Sequence, residues 1–139
     1  MKVVIATNEG GLEDGVSPVF GRCRNFTVAE CEGGEVAKTE VVGNTGFSSA
    51  GGAGIQAAQQ VNEMGAKAVI AGNFGPNAAA VLSQGGVEMI QYRGNAGEAA
   101  REYAKGILKP VEGPTVRDHF GGGRRGFGGR GQGRRRGGT

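Results

Sequence analysis

The chain has 139 residues, the size of one domain. Its net charge of +3 is the sum over two parts of the chain whose charges have opposite sign. Residues 1–112 carry nine Lys/Arg and twelve Asp/Glu (9 − 12 = −3), whereas residues 113–139 carry seven Arg and one Asp (7 − 1 = +6). Because there is no 18-residue apolar run and MKVVIATN is too short for the apolar part of a signal peptide, we expect a cytoplasmic protein with no membrane partner.

Hydrophobic patterning predicts five strands and three helices. In chain order they are strands at Val3–Thr7, 24–31 and Glu35–Val42, a helix from about Ile55 to Met64, a strand at Ala66–Gly72, a helix at Asn77–Gln84, a strand at Val87–Tyr92 and a helix at Ala96–Leu108. In the first helix, Ile55, Ala58, Val61 and Met64 form the predicted apolar stripe. In the last, the apolar residues are Ala99, Tyr103 and Ile107. Pro110 and Pro114 are expected to end the folded part.

This order predicts an α/β domain with a mixed five-stranded sheet and helices on both faces. The first three strands are predicted to form a meander or a hairpin, and the later βα units imply parallel strands with right-handed crossovers. The most apolar strands, 3–7 and 67–72, should lie side by side at the centre, which gives the order 3-2-1-4-5 with strand 2 antiparallel. Loops 8–22, 43–54 and 72–76 should then converge at a switch point, where open α/β sheets bind ligands.

The stretch GNTGFSSAGGAGI, Gly43–Ile55, contains five glycines and leads into a helix. Glycines allow positive φ, and a helix start offers unpaired N–H groups at the positive end of its dipole. The stretch could therefore cradle an anion. A plain glycine-rich surface connection remains the alternative.

The sequence contains only part of the motifs expected for a dinucleotide-binding site or for a nuclease. Residues 52–57 match the dinucleotide fingerprint G-x-G-x-x-A, but nine residues separate them from the preceding strand and the acidic ribose-binding residue is missing. An RNase H-like order would suit a nuclease, yet strand 1 carries no carboxylate to hold metal ions. His119 is the only histidine, so no Ser–His or Cys–His pair can form in the body, and we expect no enzyme.

Residues beside the predicted switch point are ambiguous. Cys23 is a weak metal-ligand candidate and is better explained as a small buried residue. A strand at 24–31 would place Cys23 and Cys31 too far apart for a disulfide or a shared metal. Arg22 could face an anionic ligand or could equally be a solvated or salt-bridged arginine.

Residues 113–139 form a Gly/Arg-rich basic tail that we expect to be disordered, since it has few apolar residues to bury. Arg and Phe in such segments can bind nucleic acid through phosphate contacts and stacking, or can bind an acidic protein or an anionic cluster. The alternative is a solubilising tail without a fixed partner.

Three motifs occur together in order: S-P-V-F-G-R at 17–22, G-G-A-G-I at 51–55 before a helix, and G-N-F-G at 72–75 before another. Over residues 1–109 the chain thereby resembles the dinitrogenase iron–molybdenum cofactor biosynthesis family, which includes NifX-like proteins, the C-terminal part of NifB and the orange protein. The resemblance implies an RNase H-like three-layer fold. It also implies binding, transport or assembly of an anionic metal–sulfur cluster, either an iron–molybdenum cofactor precursor or a related Mo, Fe or Cu cluster.

The resemblance also implies a set of cofactor-binding residues. They are Ser17, Phe20, Gly21, Arg22, Ser48, Ser49, Gly51, Gly52, Gly54, Gly72, Asn73 and Gly75. Many family members have histidines where this chain has Val19 and Ser48-Ser49-Ala50, so direct imidazole ligation is not expected. Backbone N–H groups and charge would hold the cluster instead.

The sequence thus leaves three functions open. The first is a non-catalytic carrier or assembly protein for a metal–sulfur cluster, which would work with a cluster donor or acceptor protein and could be purified without its cluster. The second is an adaptor for nucleic acid or an acidic partner that acts through the tail. The third is a binding protein for a phosphate or nucleotide in the same cleft.

Overall fold

A computed structural model describes residues 1–47 and 52–115. The elements are β1 (Lys2–Thr7), β2 (Asn25–Glu32), β3 (Glu35–Gly43), α1 (Ala53–Glu63), β4 (Ala68–Ala71), α2 (Pro76–Gln84), β5 (Glu88–Gln91) and α3 (Ala96–Ala104). No helix in these two ranges is long and apolar enough to cross a membrane. Most of the predicted tail, including His119, lies outside them.

The predicted sheet is confirmed. Its strand order is β3-β2-β1-β4-β5, with β1 antiparallel to β2 and parallel to β4. β1 and β4 are buried along almost their whole length, as expected for central strands whose two faces are both covered. β3 is an edge strand, and the order is compatible with the RNase H-like label. This topology places the carboxyl ends of β1 and β4 next to each other.

Two apolar cores lie on opposite faces of the sheet. Helices α1 and α2 pack on one face, where Val61 and Leu82 belong to the same buried cluster as Val4 of β1 and Val69 of β4. Helix α3 covers the other face through residues that include Ala99 and Tyr103. Cys23 belongs to the first core and Cys31 to the second, and both are free thiols, so the prediction that they do not pair is confirmed.

The prediction for the last helix is wrong at its C-terminal end. α3 ends at Ala104, and Ile107 is 58% exposed. Gly106 has φ +77°, its N–H donates to the Tyr103 carbonyl (3.0 Å), and the Ile107 N–H donates to the Glu102 carbonyl (3.0 Å). These two bonds form a Schellman motif, in which a left-handed glycine ends the helix.

Two smaller expectations also change. In α1 the buried residues are Ala57, Ala58 and Val61, while Ile55 and Met64 are only half-buried, so the stripe lies closer to the middle of the helix than expected. The fold also extends beyond Pro110 and Pro114, because the Thr115 N–H donates to the Phe74 carbonyl (2.8 Å).

Candidate functional site

The loop after β1 joins the two central strands at their carboxyl ends. The Ser17 N–H donates to the Ala6 carbonyl (2.7 Å), and the Ser17 carbonyl accepts from the Gly72 N–H (2.8 Å). Further along the loop, the Phe20 N–H donates to the Asn73 carbonyl (2.9 Å). The S-P-V-F-G-R segment therefore closes the end of the sheet between β1 and β4.

Two glycines permit this loop to pack tightly. Gly21 has φ +96°, and a Cβ added there would lie 2.9 Å from the Gly54 Cα in the first turn of α1. A Cβ at Gly72 would lie 2.7 Å from the Pro18 carbonyl oxygen. Both positions require glycine because the backbone of another segment occupies the space of a side chain.

Helices α1 and α2 begin next to each other at this end of the sheet. A Cβ at Gly54, in the first turn of α1, would be in ordinary contact with the Ala78 Cβ (3.5 Å), in the first turn of α2. The N-cap residues are Gly52 and Gly75, and neither helix has a side-chain cap. We refer to residues 52–55 and 75–78, together with Arg22, as the two-helix site.

The first N–H groups of α1 and α2 have no hydrogen-bond acceptor within their own helix. The first bond of α1 runs from the Gln56 N–H to the Gly52 carbonyl (2.9 Å), which leaves the N–H groups of residues 53–55 outside the ladder. In α2 the first bond runs from the Ala79 N–H to the Gly75 carbonyl (3.0 Å), which leaves those of residues 77 and 78. Both helices direct the positive ends of their dipoles at the site.

Helix α3 provides an internal comparison. The carbonyls of Leu12 and Asp14 accept from its first two N–H groups (both 2.8 Å), and the Asn95 side chain accepts from the Glu98 N–H (2.9 Å). The first turn of α3 is thus satisfied by the protein itself. Among residues 1–47 and 52–115, no side chain caps the starts of α1 and α2 in this way.

Two exposed arginines lie on the loop that packs against α1. Arg22 follows Gly21, the residue that contacts Gly54, and its side chain is exposed. Arg24 lies two residues further on, with its guanidinium carbon 5.4 Å from the centre of the Phe47 ring. The backbone of Arg22 therefore follows directly on the segment that packs against the start of α1, which is why Arg22 is counted with the two-helix site.

Three of the expected binding residues are directed into the protein. Ser17 is 2% exposed, and Phe20 is 3% exposed and packs on the rings of Phe26 and Phe74. The Asn73 side chain donates to the Pro18 carbonyl (3.1 Å) and accepts from Gln91 (3.1 Å) and Thr115 (3.2 Å). These residues position the loops. Ser48, Ser49 and Gly51 lie outside the described ranges.

The Cys23 thiol is buried and has an ordinary structural environment. Desolvation raises its pKa to about 11, despite a contact from the Asn44 amide nitrogen to its sulfur (3.7 Å). The thiol is therefore protonated at physiological pH, and it lies inside the first core, away from the surface of the site. Within residues 1–47 and 52–115, no three His, Cys, Asp or Glu side chains cluster as metal ligands.

Two residues near the site were missed in the sequence. Asn44 ties the second loop to the first through bonds to the carbonyls of Cys23 (2.7 Å) and Gly21 (3.3 Å). Thr115 ties the end of the described chain to Asn73 and Phe74. Asn44 follows a predicted strand and could be read as a loop anchor. Thr115 gives no local signal because its partners lie about 40 positions earlier in the chain.

Comparison with known proteins places this geometry in a family. The family model described as "Dinitrogenase iron-molybdenum cofactor" matches residues 1–106. The chain belongs to this family. The matched span includes both helix starts of the two-helix site, whereas residues 107–139 lie outside it.

Relatives of known sequence or structure agree with this membership. The chain is 32% identical over 115 residues to the uncharacterised protein MJ0580 of Methanocaldococcus jannaschii, covering 81% of this chain and 92% of that one. The apo form of the orange protein from Desulfovibrio gigas is 28% identical with a TM-score of 0.74, covering 83% and 96%. A protein from Thermotoga, TM1290, proposed to be a NifB protein, is 30% identical with a TM-score of 0.65, covering 78% and 91%.

Proposed function

We propose that this dinitrogenase iron–molybdenum cofactor family protein binds an anionic metal–sulfur cluster at the two-helix site and carries it, without catalysis, between a donor and an acceptor protein. The observation that carries the proposal is the pair of adjacent helix starts that have glycine N-caps and, among the described residues, no side-chain cap. Sulfide and oxide ligands at the surface of such a cluster accept hydrogen bonds from N–H groups, and the two helix dipoles favour negative charge.

The site supports this cargo by its shape as well as its charge. A Cβ at Gly52 or at Gly75 would meet no atom of the described residues within 4 Å, so neither N-cap is covered by that part of the chain. Arg22 adds a positive side chain from the first loop. Of the expected binding residues that the structure describes, Gly52, Gly54, Gly75 and Arg22 would face the cargo, while Ser17, Phe20, Gly21, Gly72 and Asn73 would hold the loops in position.

The proposed mode of binding is non-covalent. The described part of the chain has no cluster of three metal-ligating side chains, and the Cys23 thiol is buried. Hydrogen bonds and electrostatic attraction would therefore hold the cluster. The cluster could then be released without breaking a bond between metal and protein. That property suits a protein that must release its cargo to an acceptor.

Titration with tetrathiomolybdate, an anion with its own visible absorption, tests the proposal under anaerobic conditions. Gly75→Leu places a side chain in the open space at the α2 start, where φ is −81° and accepts it. We expect affinity to fall by about tenfold or more, the equivalent of one lost charge-assisted hydrogen bond. Ala80→Leu, on an exposed position of the same helix, is the matched control and should bind as the unmodified chain does.

A second titration separates a sulfur-rich cargo from a general anion. Molybdate, the oxygen analogue of the same charge, and inorganic phosphate are titrated in parallel. Tighter binding of tetrathiomolybdate supports the proposal. Equal affinity for all three anions would instead favour a general anion site, which is the phosphate-binding alternative. Unchanged affinity in a folded Gly75→Leu protein would place the ligand elsewhere.

A further inference from the structure

After α3 the chain passes around the β5 edge of the sheet. Leu108 packs against the core under α3, whereas Val111 packs against the core under α1 and α2. The Val111 N–H also donates to the Met89 carbonyl of β5 (2.7 Å). Residues 107–115 therefore cross from one face of the sheet to the other, and we call them the C-terminal strap. The strap lies beyond residue 106, where the family match ends.

The strap ends on the residues that precede α2. The Thr115 N–H donates to the Phe74 carbonyl (2.8 Å), and the Thr115 hydroxyl accepts from the Phe74 N–H (2.8 Å). The same hydroxyl donates to the Asn73 side-chain oxygen (3.2 Å). Pro114 directly precedes Thr115 and restricts the backbone there, which lowers the entropy lost when the strap attaches. One strap residue thus binds both backbone polar groups of Phe74.

Phe74 is the residue through which this attachment reaches the two-helix site. Its ring is fully buried and packs on Phe20, with the ring centres 5.6 Å apart. The next residue is Gly75, the N-cap of α2, which has no side chain to anchor its backbone. The position of Gly75, and of the N–H groups that follow it, therefore depends on how Phe74 is held.

The loop after β1 holds the same residues from the other side. The Asn73 side chain donates to the Pro18 carbonyl (3.1 Å), and the Asn73 carbonyl accepts from the Phe20 N–H (2.9 Å). These bonds fix the approach to α2 from the side of β1, whereas Thr115 fixes it from the side of β5. The start of α2 is thus held between two segments that are distant in the chain.

We propose that Thr115 is a positioning residue for cargo binding, whose hydroxyl holds Phe74 so that the first N–H groups of α2 face the anionic cargo. The inference rests on the proposed function and assigns to it a residue outside the matched family span. It also has a consequence for the bound state. Because attachment of the strap raises the affinity for cargo, bound cargo must favour the attached strap by the same factor.

Tetrathiomolybdate titration of full-length variants tests the role of the hydroxyl. Thr115→Val keeps the shape of the side chain but removes the hydroxyl bonds, and we expect affinity to fall about fivefold, the equivalent of one hydrogen bond. Thr115→Ser restores the hydroxyl and should bind within about twofold of the unmodified chain. Thr39→Val, at an exposed position of β3, is the matched control. Full affinity in Thr115→Val, or an equal loss in Thr115→Ser, would overturn the inference.

A double variant separates positioning from a general loss of stability. Gly75→Leu already blocks the start of α2, so Thr115→Val should weaken binding by less than about twofold when it is added to that variant. A loss of about fivefold in both backgrounds would mean that Thr115 acts on the fold as a whole, and it would overturn the inference. Urea denaturation of each variant shows that binding is measured on folded protein.

Amide hydrogen exchange of the unmodified chain measures the reverse effect without any substitution. Saturating tetrathiomolybdate should slow exchange of the Thr115 and Phe74 N–H groups by about fivefold, the same factor as the loss of affinity. The control is the Lys105 N–H, which donates to the Arg101 carbonyl at the end of α3 and opens by local fraying. Its exchange rate should not change. An unchanged rate at Thr115 in the bound protein would overturn the inference.

The outcomes also separate this inference from the proposed function. If the unmodified chain does not bind tetrathiomolybdate, the proposed function fails and the inference fails with it. If Gly75→Leu weakens binding and Thr115→Val does not, the proposed function stands and only the inference fails.

Discussion

The position of Gly21 determines how closely the first loop can approach helix α1. Gly21→Ala would combine a positive φ with a Cβ 2.9 Å from the Gly54 Cα, so we expect the free energy of unfolding to fall by about 2–3 kcal/mol. Gly11→Ala is the matched control, because Gly11 has φ +101° and nothing within 4 Å of the added Cβ. It should cost only about 1 kcal/mol of backbone strain. Urea denaturation of both variants measures the difference, and similar losses would mean that the contact with α1 is unimportant.

The buried Cys23 thiol should make stability depend on alkaline pH. Burial raises its pKa from 9.0 to about 11, so the folded state holds the proton more tightly than the unfolded chain. The stabilisation is complete below pH 9 and is lost as the pH rises toward 11, and by linkage it amounts to about 2–3 kcal/mol. We expect urea midpoints of the reduced protein to fall over this range by more than those of Cys23→Ala. Parallel curves would contradict the prediction.

Single residues also show the limits of inference from the chain alone. The F-G-R motif was found in the sequence, but Phe20 lies in the core and only Arg22 is exposed, because the packing of Phe20 on Phe26 and Phe74 depends on the tertiary fold. The need for glycine at Gly72 similarly comes from Pro18, a partner distant in the chain. A motif identifies a segment, whereas the direction of each side chain follows from its neighbours in space.

At the start of α3, other residues of the protein accept hydrogen bonds from the N–H groups of the first turn. Asn95→Ala removes the side-chain acceptor for the Glu98 N–H, so the free energy of unfolding should fall by about 1 kcal/mol. Asn77→Ala, at an exposed position in the first turn of α2, should change it by less than about 0.5 kcal/mol. Both are measured by urea denaturation. Equal effects would mean that the capping bond of Asn95 contributes little.

The elements themselves were largely predictable, because the buried strands are continuous apolar runs and the turns contain glycine pairs. The errors are at element ends. The apolar spacing continues to Ile107 and so predicts a helix that reaches Leu108, but Gly106 at φ +77° ends α3 earlier. Gly106 in the sequence favours a helix end, whereas the apolar spacing of Ile107 favours a longer helix. Only the hydrogen bonds around Gly106 show which of the two prevails.

For the whole molecule, the core and the basic segment should be energetically separate. Both apolar cores consist of residues between Val3 and Tyr103, with partly buried neighbours up to Val111. Changing the seven tail arginines to serine should therefore alter the free energy of unfolding by less than about 0.5 kcal/mol. Chemical denaturation at moderate salt measures this value. A loss of several kcal/mol would show that the tail contributes to the fold.

The strand order of the whole sheet could be predicted. Two fully apolar strands belong at the centre of a mixed sheet, and the antiparallel strands β2 and β3 must then continue from one side of β1. The site was predictable only as a region. Three loops were expected to converge, but the adjacency of the α1 and α2 starts depends on the packing of Gly54 against Ala78. The return of the chain to Phe74 depends on the Thr115 hydroxyl, which no local pattern indicates.

The two outer strands of the sheet are both altered in ways that hinder the addition of a strand from another chain. On β3 the register moves between Glu30 and Cys31, so Ala37 has no partner on β2, and Lys38 follows directly. Such a bulge and a lysine make an edge a poor template for pairing. On β5 the position beside Met89 is already taken by Val111. A protein with these edges can be present at high concentration with little tendency toward edge-to-edge aggregation.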